Sequence, residues 1–188
     1  LKRAKRVVKG TSIEKRPASI LTRKEFGHWE MDTVKGKRGV TKSCLLVLSE
    51  RKTRMELIFK IANQGAAAVV EALDSLERKW GEQFPIMFKT ITVDNGVEFS
   101  DTEGIERSVF DNQKKRTSLF YCHAYSSWER GTNENINKMI RRHIPKGVDF
   151  DDKTDDDIIY VEIGSTAIRE GYSVFRHQKH SSMQKWRN

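Results

Sequence analysis

Three carboxylates stand out by their neighbours: Asp32 in "HWEMDTVKG", Asp94 in "TITVDNGVEF", and Glu134 in "SSWERGTNEN". A carboxylate inside an otherwise apolar strand is costly unless it is paired, edge-placed or bound to a cation. Taken singly, each Asp serves equally well as a turn or cap residue, and the Ser, Thr and Asn around Glu134 as ordinary helix caps. Taken together, the three suit phosphodiester chemistry, which must activate an oxygen nucleophile and stabilise a leaving oxygen. Two Mg²⁺ ions ~3.5–4 Å apart do both, one on each oxygen. Mg²⁺ accepts carboxylate oxygens, waters and substrate phosphates, so two or three acids suffice and no His or Cys is needed. The histidines and the two cysteines, Cys44 and Cys122, indeed lack paired metal-ligand spacing. Cys44, in "SCLLVLS", reads as a small buried apolar residue.

These acids must be carried by elements that converge. Residues 1–25 are irregular and basic, with Pro17 breaking any helix. "HWEMDTVKG", "KSCLLVLSERKT" and "RMELIFKIAN" then predict a three-strand antiparallel meander. "GAAAVVEALDSLERKWG" predicts a long helix with Val69, Leu73, Leu76 and Trp80 along one stripe. "KTITVDNG" is a fourth strand ending in a turn, "GIERSVF" a short helix, and "TSLFYCHAY" a fifth strand. A second long helix runs from Glu129 to about His143, closed by Pro145 and Gly147. This order predicts an α/β fold, a mixed five-stranded sheet flanked by helices, with strand ends and a helix start gathering the acids at one edge. The acidic run 149–157 reads as a hinge, a solvated helix start or a metal-binding tract; lacking the turn glycine of a calcium loop, it favours solvation.

Composition bounds the partners. A chain of 188 residues, 37% hydrophobic and 32% charged, supports one domain with a core. No apolar run approaches the ~20 residues of a membrane span, and no apolar leader suggests export. The net charge of +9 is uneven: residues 1–38 hold 12 Lys/Arg against 4 Asp/Glu. Such an arm is either a solvated leader or a contact for a polyanion, most often nucleic acid.

Three motifs, "FGHWEMDTVKG", "ITVDNGVEF" and "YCHAYSSWERGTNENINKMIRRHIPKG", resemble the DDE transposases of bacterial insertion sequences, specifically the IS-thirty family. The resemblance spans about Ser12 to Val161. It implies a ribonuclease-H-like integrase catalytic core, with Asp32, Asp94 and Glu134 as the acidic triad holding Mg²⁺, or Mn²⁺ as a substitute. It implies double-stranded DNA as partner, with Arg130, Asn137, Lys138 and Arg141 beside Glu134 on a DNA-facing helix. It further implies cleavage and strand transfer during transposition, a homo-oligomer assembled on DNA, and a cytoplasmic, nucleoid-associated location. Trp29 and Trp128 are expected to pack rather than stack on bases, and Asn95 and Gly96 to shape the turn presenting Asp94. Glu30 and Glu98 are rival acids, ranked below the triad because the motif match assigns the metal role elsewhere.

The match divides the chain into a basic arm (1–25), a catalytic core (26–162) and an aberrant tail (163–188). The arm is too short for a helix-turn-helix module, so non-specific phosphate attraction is expected in place of sequence-specific recognition. After Glu162 the family-like pattern stops. With synonymous codons chosen freely, one restored nucleotide turns "IGSTAIREGYSVF" into a family-like Asn-Trp-Ile-Asn-Ser-Tyr-Pro-Arg continuation. The tail is therefore expected to be out-of-frame sequence that packs poorly, which the coding DNA decides. The rival readings are an inactive remnant that binds DNA without cutting it and a structure-selective nuclease on the same fold.

Overall fold

The computed structural model describes residues 10–123, Ser126, Arg141 and residues 145–154. In chain order these form β1 (Thr11–Ser12), β2 (His28–Lys35), β3 (Cys44–Glu50), β4 (Glu56–Ile61), α1 (Ala66–Trp80), α2 (Phe84–Met87), β5 (Thr90–Val93), α3 (Thr102–Glu106) and β6 (Ser118–Tyr121). One sheet runs β1-β6-β5-β2-β3-β4. The meander β2–β3–β4 is antiparallel, as its short loops require, while β5 and β6 join parallel to β2 after helical connections.

Five of the six strands are those predicted. The sixth, β1, comes from the segment read as an irregular arm and pairs parallel with β6 through Thr11 and Ser12. Two residues carry no side-chain period, so no sequence pattern announces them. Gly10 beside them is required by space, since a Cβ there would lie 2.1 Å from the Tyr121 ring. Further along the same segment, Ile20 is buried and the Arg16 guanidinium donates to Thr92 Oγ1 at 3.0 Å.

The strand period of two sorts the core into two faces. Trp29, Met31, Cys44, Leu46 and Leu48 face α1, where Val69, Leu73 and Leu76 are buried and Trp80 packs against them. That is the predicted stripe. Trp29 packs as expected: its indole N–H donates to the Met87 carbonyl at 2.7 Å and its ring stacks on Phe88. Val34, Leu45, Val47 and Ile58 face the other way, against Phe150 and Val148. The start of the acidic run thus does more than meet solvent. Phe150 is fully buried, and the carboxylates on either side of it bond to Thr41, Lys42 and Ser43 in the β2–β3 loop.

Candidate active site

β5 lies beside β2 with His28, Trp29 and Glu30 level with Thr90, Ile91 and Thr92. Extending that register by two residues sets Asp32 level with Asp94, just past the end of β5. Adjacent strands are ~4.8 Å apart, so two acids separated by 62 positions in the chain emerge side by side at one sheet edge. Both are partly exposed.

Local hydrogen bonds set both side chains. Asp32 Oδ1 accepts the Thr33 amide at 2.8 Å, and Asp94 Oδ1 accepts the Gly96 amide at 2.8 Å in an Asx-type turn. Asn95 ties that turn to the end of β6, its Nδ2 donating to the Cys122 carbonyl at 2.8 Å. Asn95 and Gly96 therefore shape the turn as expected, but Gly96 does so for a steric reason. Its φ of −61° suits any residue, yet a Cβ there would sit 2.5 Å from Glu98 Oε2 and 3.0 Å from Asp94 Oδ1.

That observation brings Glu98 to the site. Its carboxylate is buried, and its Oε1 accepts from Thr33 Oγ1 at 2.7 Å and from Gln64 Nε2 at 2.6 Å. Gln64 also donates to Thr33 Oγ1 at 2.9 Å. Glu98 thereby links the residue after Asp32 to the turn that holds Asp94. Its partners lie 65 and 34 positions away, which the sequence does not reveal. Glu30 has a different fate: it is fully buried and ion-paired with the buried Arg51.

The remaining polar candidates are occupied in the fold. His28 Nδ1 lies 2.9 Å from Thr90 Oγ1. Burial pushes the Cys44 thiol up to about 11, with Glu98 adding to the rise, so it stays protonated and inert at neutral pH. Among the described residues no three His, Cys, Asp or Glu side chains are grouped as for a metal ion. The donors that Asp32 and Asp94 offer are carboxylate oxygens, which fit a hard divalent cation.

Arg141 donates from Nη2 to the Lys35 carbonyl at 2.7 Å, at the end of the strand that carries Asp32. Partial burial lowers its pKa. Glu134, Arg130, Asn137 and Lys138 lie outside the described residues, as do Trp128 and the tail from Ile163. No described helix is long and apolar enough to cross a membrane.

No protein-family model matches the chain. Individual proteins do. The probable transposase for insertion-like sequence element IS1161 of Streptococcus salivarius is 41% identical over 73% of the chain, and the transposase for insertion sequence element IS4351 of Bacteroides fragilis is 36% identical over 80%. The transposase InsI for IS30C of Escherichia coli is 33% identical over 74%. The matches cover 36%, 42% and 33% of those relatives, so the chain spans well under half the length of each. A solved chain from the simian T-cell lymphotropic virus intasome, in complex with the PP2A regulatory subunit B56 gamma, matches with a TM-score of 0.57 and 14% identity. That match covers 78% of this chain and 50% of the other, and it supports the ribonuclease-H-like α/β fold. Over the third or so of their length that it spans, this chain is similar in sequence to the transposases of IS30-type insertion sequences.

Proposed function

We propose that this chain carries the catalytic core of a DDE-type transposase, cutting DNA phosphodiester bonds and joining the freed end to target DNA. The observation that carries the reading is the β2–β5 register, which sets Asp32 and Asp94 level at one sheet edge. Asp32 and Asp94, with Glu134, would hold Mg²⁺ or Mn²⁺. When bound, such ions supply charge stabilisation at the attacking and leaving oxygens.

The chain's own contribution is placement. The Thr33 and Gly96 amides orient the two aspartates, and Glu98 ties the segments bearing them together through Thr33 and Gln64. In cleavage, a water oxygen attacks phosphorus in line with the departing 3′-oxygen, which leaves as a hydroxyl. In joining, that hydroxyl attacks a target phosphodiester and displaces another 3′-oxygen. The relatives are named for insertion sequences, which supports DNA as partner. Arg130, Asn137, Lys138 and Arg141 are proposed backbone contacts, and a homo-oligomer the form assembled on paired ends.

The test is Mn²⁺ binding by calorimetry together with nicking of duplex DNA, comparing the chain with Asp94→Asn. Metal binding and nicking that both disappear in a variant of unchanged melting temperature support the reading. A folded chain that binds DNA but neither binds metal nor cuts is the inactive remnant.

A further inference from the structure

The loop joining β2 to β3, residues 36–43, leaves the sheet at the same edge as Asp32 and Asp94, because β2 runs from Asp32 through Lys35 directly into it. Lys35, Lys37, Arg38 and Lys42 are all exposed. No Asp or Glu occurs between Thr33 and Ser49, and none of the four cations forms an ion pair among the described residues. At the opposite sheet edge, Lys89 and Lys115 pair with Glu25 and Glu106.

The loop is also held in shape. Thr41 closes it, accepting the Lys37 amide on Oγ1 at 3.0 Å and donating its own amide to the Lys37 carbonyl at 3.0 Å. The Thr41 hydroxyl donates in turn to Asp149 Oδ1 at 2.6 Å. Asp151 accepts the amides of Lys42 and Ser43 at 3.0 and 3.1 Å. Phe150, buried between these acids, anchors the clasp in the second core face. The tip extends outward: Gly39 sits at φ +78° with nothing within 4 Å of a would-be Cβ, and Val40 is exposed. Arg141 reaches the Lys35 carbonyl at the stem, and its Nη1 has no hydrogen-bond partner among the described residues.

We propose that this clasped loop is a DNA-backbone contact, with Lys37, Arg38 and Lys42 holding phosphates on the flank of the carboxylate site. The inference rests on the DNA reading above and adds a contact outside the segment 130–141 named there. Lys35 lies three residues beyond Asp32, on the order of 10 Å along the strand. The loop cations therefore meet phosphates a few nucleotides from the one at the acids. Contacts of this kind position a duplex without reading its sequence. A preformed loop also loses less conformational freedom on binding than a free basic arm does.

The test measures binding of the whole chain to a labelled duplex by fluorescence anisotropy, between roughly 50 and 200 mM salt. A triple variant, Lys37→Gln with Arg38→Gln and Lys42→Gln, is compared with a charge-matched control at the opposite sheet edge: Lys24→Gln, Lys52→Gln and Lys114→Gln. The loop variant is expected to flatten the log–log salt slope by about 2–3 units, at ~0.9 for each phosphate no longer neutralised, while the control stays within one unit of the parent. Equal flattening in both variants would show a net-charge effect and overturn the loop's role alone, as would an unchanged slope in the loop variant. A parent chain that binds no DNA would overturn the functional reading as well. Should the triple variant melt early, Arg38→Gln at the tip carries the test, with a flattening of about one unit expected.

Discussion

Two sets of buried acids are satisfied by opposite means. On α1, Asp74 and Glu77 meet arginines: the fully buried Arg116 reaches Asp74 at 2.5 Å and Glu77 at 3.2 Å, and Arg107 reaches Asp74 at 3.0 Å. Arg116 spends its other donors on the Ile105 and Gly104 carbonyls. Glu98, at the carboxyl edge of the sheet, is met by a hydroxyl and an amide instead. The first set is charge-neutral within the fold and serves to fasten α1 to the segment before β6. Glu98 is met by neutral donors, and its second oxygen lies against Gly96, in the turn that holds Asp94. A buried acid answered by arginine has its charge balanced within the fold; one whose partners among the described residues are neutral donors leaves its charge for an outside cation.

Breaking the first set should give the largest effect. Arg116→Ala leaves Asp74 and Glu77 buried without their main counterion, and a loss of about 3–5 kcal/mol is expected in urea unfolding. A loss below about 1 kcal/mol, the range of an exposed pair, would mean that α1 is held by its apolar stripe alone.

Glu98→Gln sharpens the contrast, because it keeps the shape and removes the charge. Mn²⁺ affinity should fall roughly tenfold, with the unfolding midpoint moving far less than for Arg116→Ala. A midpoint shift without any change in metal affinity would reassign Glu98 to the structural set.

The smallest effect concerns Asp151, whose carboxyl is held below its usual range by Ser43 beside it and by the Lys42 and Ser43 amides. A depressed folded-state pKa adds stability above the unfolded value and forfeits it as pH falls through the folded one. Thermal melts taken from neutral pH downward should therefore show a small acid-side loss in the parent that Asp151→Asn lacks. Identical acid limbs would place the clasp's strength in Phe150 rather than in the carboxylate.

What can be read in advance follows from the kind of force involved. The meander, α1 and β5 are set by apolar periodicity, which is local and repeats, so Val69, Leu73 and Leu76 announce the core face of α1. Asp32 and Asp94 are legible because an acid inside an apolar run is conspicuous. Four features are not. β1 is only backbone pairing across two residues. Asp149 and Asp151 look like solvated charge because their partners, Thr41, Lys42 and Ser43, lie more than a hundred positions upstream. Asp74 and Glu77 sit inside an amphipathic helix, where acids ordinarily face water. Glu98 stands among the rival acids, with nothing nearby in the chain to show that Thr33 and Gln64 enclose it.

The pairing of β1 with β6 also orders events at the ribosome. The meander and α1 need only neighbours in the chain, so they can fold as they emerge. Thr11 must wait for Phe120, about 110 residues later, which at roughly 5–20 residues per second is some 5–20 seconds of synthesis. During that interval Thr11 and Ser12 have no strand to pair with. They become an edge strand only after β5 and β6 have docked, so β1 is the last of the six strands to join and, in hydrogen exchange, should be the first of them to open.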